Sequence, residues 1–137
     1  MAHRNNSFSD RTAFTTLAIC GSLFLSSCSN LSAPLRPVTH VVLMWLKHPG
    51  RPADRAQLIR AARSLRMIPG VLRVEAGHAV PSPPPGVDRS FDLGVVITFR
   101  DRAALERYEE DPRHLDAVRR YLEPLVRRYL VYDLSGR

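Results

Sequence analysis

The sequence predicts one α+β domain in the order β-α-β-β-α-β, a single antiparallel sheet with its helices on one face. Three observations carry this. Runs rich in β-branched and apolar residues at 38–47, 71–80, 91–99 and 128–134 read as strands. Stretches with apolar residues at helical spacing separate the first strand from the second and the third from the fourth. The chain has 137 residues, room for one domain rather than two. This order is the ferredoxin-like split βαβ arrangement.

Each element has a local reason. In the first strand, His40, Val42, Met44 and Leu46 share one face, and Val41, Leu43, Trp45 and Lys47 the other. Both faces are mostly apolar, so both ask for cover. Pro52 suits a first helical turn, and Leu58, Ile59, Ala62 and Leu65 follow as a stripe. Ile68-Pro69-Gly70-Val71 turns into the second strand, and the stiff loop 81–86 (PSPPPG) closes it. In the third strand Phe91, Leu93, Val95, Ile97 and Phe99 alternate with Asp92, Gly94, Val96 and Thr98. Asp101 caps a helix that runs to Glu110. Asp111-Pro112 starts a second one, with Leu115, Val118, Leu122 and Leu125 as its stripe and Pro124 near its end. With helices on one side of the sheet, Val41, Leu43 and Trp45 are left for a second copy to cover.

Ahead of this domain the chain reads as an export leader. Residues 1–11 are polar with Arg4 and Arg11, and 12–25 (TAFTTLAICGSLFL) are uncharged and mostly apolar. Such a stretch is short for a membrane span and suits a signal peptide. Leu25-Ser26-Ser27-Cys28 then resembles a bacterial lipobox. The resemblance implies a lipoprotein signal peptide over 1–27, lipid on Cys28 and a tether over 28–37 before a domain over 38–134. It also implies a cell-envelope location on the periplasmic face. Ser29, where an Asp would signal inner-membrane retention, points to the outer membrane.

The formal net charge is +7, and the leader carries +1 of it, leaving +6 on the mature part. Nineteen of the twenty basic residues are Arg, spread along the chain without a basic arm. They read as solvated cations rather than a nucleic-acid interface. Both cysteines, Cys20 and Cys28, lie in the leader region, so the domain has no disulfide and no thiolate metal site. His40, His78 and His114 lack metal-ligand spacing. Gly-rich phosphate loops and Ser-nucleophile motifs are missing too.

Several motifs form an ordered set: His40-Val-Val-Leu, Ile68-Pro69-Gly70-Val71, Phe91-Asp92, Leu105-x-x-Tyr108-x-x-Asp111-Pro112-x-His114 and Tyr132-Asp133. Together they resemble the stress-responsive dimeric α+β barrel (Dabb) family. The resemblance implies a homodimer with facing sheets and no cofactor. One plant branch of the family cyclises polyketides with a strand His and a Tyr and His in the second helical stretch. Those roles fall here on His40, Tyr108 and His114. The chain departs from the His-Pro-x-His that many members carry, having Asp111-Pro112-Arg113-His114.

Two functions follow as expectations. One is a membrane-anchored, stress-related module that binds a small, largely apolar molecule without reaction. The other is a cofactor-independent cyclase or lyase of aldol type. In the second, a neutral imidazole accepts a proton from a carbon acid and Tyr108 donates to the resulting enolate oxygen. A cavity of several hundred Å³ beside the three residues would favour the enzyme, and a filled core the module.

Overall fold

The structure, a computed structural model, describes residues 36–80 and 85–136. The leader, Cys28 and most of the tether lie outside the described residues. Strands β1 (Val38–Leu46), β2 (Val71–Gly77), β3 (Leu93–Phe99) and β4 (Val126–Ser135) form one sheet of order β2-β3-β1-β4. Every neighbouring pair is antiparallel. Helix α1 (Pro52–Ser64) joins β1 to β2 through a short 3₁₀ turn, Leu65–Met67. Between β3 and β4 lie α2 (Arg102–Glu110), α3 (Pro112–Ala117), a π-helical segment (Val118–Leu122) and a last turn, α4 (Glu123–Leu125). This is the predicted ferredoxin-like fold. Among the described residues no helix is long and apolar enough to cross a membrane.

The caps fall where the sequence placed them. The Asp101 side chain accepts from the Ala104 N–H at 2.8 Å. Asp111 accepts from the Arg113 N–H at 2.9 Å, and Pro112 follows as the first helical residue. Each satisfies an otherwise orphaned helix donor. Pro52 opens α1, whose Arg51 cap makes no side-chain bond.

Alternation along β1 sorts the sheet into two faces. Val38, His40, Val42, Met44 and Leu46 are buried toward the helices. Of these, Val38, Val42, Met44 and Leu46 form the core with Leu93, Val95, Ile97 and Phe99 of β3 and with Leu58, Leu65 and Leu105 of the helical layer. Thr39, Val41 and Leu43 point the other way and are only half-buried. Register places Leu130, Tyr132 and Leu134 of β4 and Val96 of β3 beside them. Tyr132 and Leu134 are half-exposed or more, at 50% and 58%. No element of the described chain lies over this apolar face as a helical layer.

Four expectations change. Trp45 is already buried in the single chain, with the Arg128 guanidinium 4.5 Å over its ring. Arg128 is its register partner on β4, so a cation–π contact covers it. The open face therefore rests on Val41, Leu43 and their β4 neighbours. Phe91 precedes β3 rather than continuing its core face: its ring approaches Gly94 and Leu43 on the open side. The reason is Asp92. Its backbone N–H donates to the Met44 carbonyl and its carboxylate accepts from the Leu46 N–H at 2.8 Å, so the chain is bound to the end of β1 before the strand begins. Leu115 is 43% exposed, and Val118 and Leu122 of its stripe are half-buried because they wall a cleft. Finally, β2 ends at Gly77 and β4 begins at Val126, shifted from the predicted 71–80 and 128–134.

Candidate functional site

The three expected residues come together between sheet and helices. His40, on the helix-facing side of β1, lines a cleft with Tyr108 of α2 and His114 of α3. Its other walls are Val42 and Met44 of β1, Leu58, Ala62 and Leu65 below, and Val118, Tyr121 and Leu122 of the π-helical segment. A π turn alters the side-chain register of a helix, and such turns recur at functional sites. Here Val118, Tyr121 and Leu122 of one short segment line the same space. The cavity holds about 80 Å³. It is neither the several hundred Å³ that would favour a large substrate nor a filled core. Tyr108 and His114 occupy much of the intervening space, their rings stacked 4.3 Å apart at 31°.

His40 is the best defined of the three. Its imidazole is 10% exposed, and its Nδ1 lies 2.7 Å from Oδ1 of Asp133 on β4. The two residues are register partners on adjacent strands. A carboxylate can only accept here, so Nδ1–H donates and Nε2 is left as the basic nitrogen. The Asp133 side chain is 45% exposed, so the pair spans from solvent to the cleft. This arrangement fixes the tautomer and holds the ring in one orientation.

In the sequence Asp133 stands out only as part of Tyr132-Asp133. Strand alternation alone puts it on the same face as Val131, but only the register of β4 against β1 pairs it with His40.

Tyr108 is 2% exposed, packed edge-to-face on Phe99 with centroids 4.8 Å apart. Burial, with Glu109 adding like charge, pushes its phenol well above the ordinary 10.0. It is thus a hydrogen-bond donor at every working pH. The sign for stability follows. The folded state keeps a proton that the unfolded chain loses above about pH 10, so folding weakens as pH rises beyond that value, by about 1.4 kcal/mol per pH unit. Tyr108→Phe removes this slope. Urea midpoints at pH 9 and pH 11 check it: the wild type falls more steeply than the variant, and parallel losses would refute the assignment.

His114 Nδ1 donates to the Glu109 carbonyl at 3.2 Å, leaving its Nε2 as acceptor. Beside it, Arg113 grips Asp111 through Nε and Nη2 at 2.9 and 2.8 Å. That side-chain contact, aided by the Arg113 backbone N–H, holds the Asp111 carboxyl down at about 2. The same arginine donates from Nη1 to the Met67 carbonyl at 3.0 Å. At Asp111-Pro112-Arg113-His114 the chain thus has a charged clamp that ties α3 to the 3₁₀ turn after α1. Cys28 lies outside the described residues. Among those residues no group of three or more His, Cys, Asp or Glu could hold a metal ion.

A family model described as Stress responsive A/B Barrel Domain matches residues 38–135. No curated protein matches the sequence. Solved structures do. A Dabb family protein with a ferredoxin-like fold from Mesorhizobium loti is 28% identical, covering 74% of this chain and 98% of its own, at a TM-score of 0.62. A hydroxynitrile lyase from Passiflora edulis is 20% identical over 76% of this chain and 96% of its own, at 0.64. A dimeric ferredoxin-like protein of unknown function from Thermobifida fusca is 20% identical over 78% and 97%, at 0.61. The last two share the fold at identities too low to carry more.

Proposed function

From the premise that the chain belongs to the stress responsive A/B barrel family, matched over 38–135, we propose that its cleft binds a small, largely apolar molecule and moves a proton on it without a cofactor. One observation carries the reading. An imidazole held by a carboxylate at 2.7 Å lines an apolar cleft that also holds Tyr108 and His114. A ligand carbonyl seated there meets a base in His40 Nε2 and a hydrogen-bond donor in Tyr108. The pair suits removal of a proton from a carbon or hydroxyl beside that carbonyl. The size of the cavity limits the bound part to a few heavy atoms. The lyase from Passiflora edulis supports enzymatic chemistry on this fold, and relatives of unknown function leave room for a binding role.

The test uses protein purified from its own host. Native mass spectrometry looks for a retained small molecule. A panel of short ketones and aldehydes in D₂O is then followed by NMR for exchange of the proton beside the carbonyl. Exchange above buffer supports the enzyme; a retained ligand with no exchange by any candidate supports the binding module and rejects the proton transfer.

Two further parts complete the proposal. The apolar sheet face around Val41, Leu43, Leu130 and Tyr132 pairs with the same face of a second copy, as the dimeric relatives suggest. Leu130→Asp is expected to convert the dimer to a monomer in size-exclusion chromatography with the helical signal retained; an unchanged dimer rejects this face. Lipid on Cys28 anchors the dimer to a membrane of the cell envelope. Cys28→Ser is expected to move the protein from the membrane fraction to the soluble one, and unchanged retention rejects the anchor.

A further inference from the structure

The arginines look evenly spread in the sequence, but the fold sorts them. Between residues 47 and 67 there are six cations and one acid, Asp54. Lys47, Arg51, Arg60, Arg63 and Arg66 are exposed, whereas Asp54 is buried at 9%. The outer side of α1 and its 3₁₀ turn therefore presents positive charge with no exposed carboxylate. Elsewhere Arg73, Arg100, Arg102, Arg113 and Arg120 are each within 3.1 Å of an acid at a nearby position, while Arg89, Arg107, Arg119, Arg127 and Arg128 are exposed and, like the α1 arginines, enter none of the ion pairs among the described residues. Arg60, Arg63 and Arg66 enter none of the ion pairs among the described residues. They recur every third residue, away from the buried Leu58, Ala62 and Leu65. Met67, 69% exposed, ends the row with an apolar side chain.

We infer that this arginine face of α1 docks on a bilayer rich in anionic phospholipid headgroups. Guanidinium groups bind phosphate oxygens in a planar fork and are weakly hydrated, so they suit this contact. An exposed apolar side chain at the end of the row suits the headgroup boundary. For its setting the inference rests on the proposed tether. Ten residues, 28–37, reach at most about 35 Å, which keeps the domain beside the membrane and raises the effective concentration of a weak contact. Of two phosphate-rich partners, a bilayer and a nucleic acid, the leader favours the bilayer. Pairing through the opposite sheet face leaves α1 exposed.

The test is independent of the anchor. It uses residues 28–137 with Cys28→Ser, since the solved relatives consist almost wholly of this domain. Sedimentation measures binding to vesicles of phosphatidylcholine alone or mixed with phosphatidylglycerol. Binding to the mixed vesicles only is expected, and it disappears at about 0.5 M salt, where charge screening is short-ranged. Arg60→Gln, Arg63→Gln and Arg66→Gln together are expected to weaken it about a hundredfold, some fivefold per arginine. Arg73→Gln, Arg102→Gln and Arg120→Gln remove the same charge from paired sites and are expected to weaken it by less than about fivefold. Equal losses in the two triple variants, or no binding to anionic vesicles, overturn the inference. Tighter binding to duplex DNA than to the vesicles overturns it in favour of nucleic acid.

Discussion

His40→Gln is expected to slow proton exchange on any turned-over carbonyl compound by about 10²- to 10⁴-fold, the usual contribution of a positioned general base. Glutamine keeps a polar group of similar reach opposite Asp133 but has no nitrogen that accepts a proton at neutral pH. Ligand retention is expected to survive, because the apolar walls are untouched. Asp133→Asn is the sharper companion. It preserves shape and hydrogen bonding but no longer compels Nδ1 to carry the proton, and it withdraws the charge facing the imidazolium. A loss of at least tenfold is expected, with thermal stability close to wild type since Asp133 is half-exposed. If both variants exchange at the wild-type rate, His40 is not the base.

Gly70→Ala is expected to cost about 2–5 kcal/mol of stability. Two effects add. Gly70 has φ +94°, a left-handed conformation that costs an L-residue about 1–2 kcal/mol. An added Cβ would also sit 2.6 Å from the Cβ of Ala104, within an otherwise filled core, and such overpacking costs about 1–3 kcal/mol. Ala104 is fully buried in α2, and the Gly70 carbonyl accepts from the Arg100 N–H at 2.9 Å, so neither side of the contact gives easily. In a domain of this size the melting temperature is expected to fall by at least about 10 °C. Adding Ala104→Gly relieves the contact but not the backbone, so a partial rescue separates the two effects. A variant as stable as wild type would mean that the turn relaxes freely.

Element order, caps and the candidate trio were all legible in the chain. A strand needs only alternating apolar residues, and a helix start needs only Asp before Pro or a spaced stripe; both are local. So Asp101, Asp111, Pro52 and the four strands could be placed without coordinates, to within a few residues. The motif set also located His40, Tyr108 and His114. What the sequence could not supply are the outcomes of register and packing. Asp133 meets His40 across 93 positions because β4 pairs with β1 in one alignment, and a slip of one residue would turn it to the other face. Trp45 is covered by Arg128 for the same reason, and Phe91 leaves the core because Asp92 binds the end of β1. The charge of α1 emerged only when folding buried Asp54 and left its arginines outside. Local pattern determines which elements form; which side chains meet is decided when those elements close on one another.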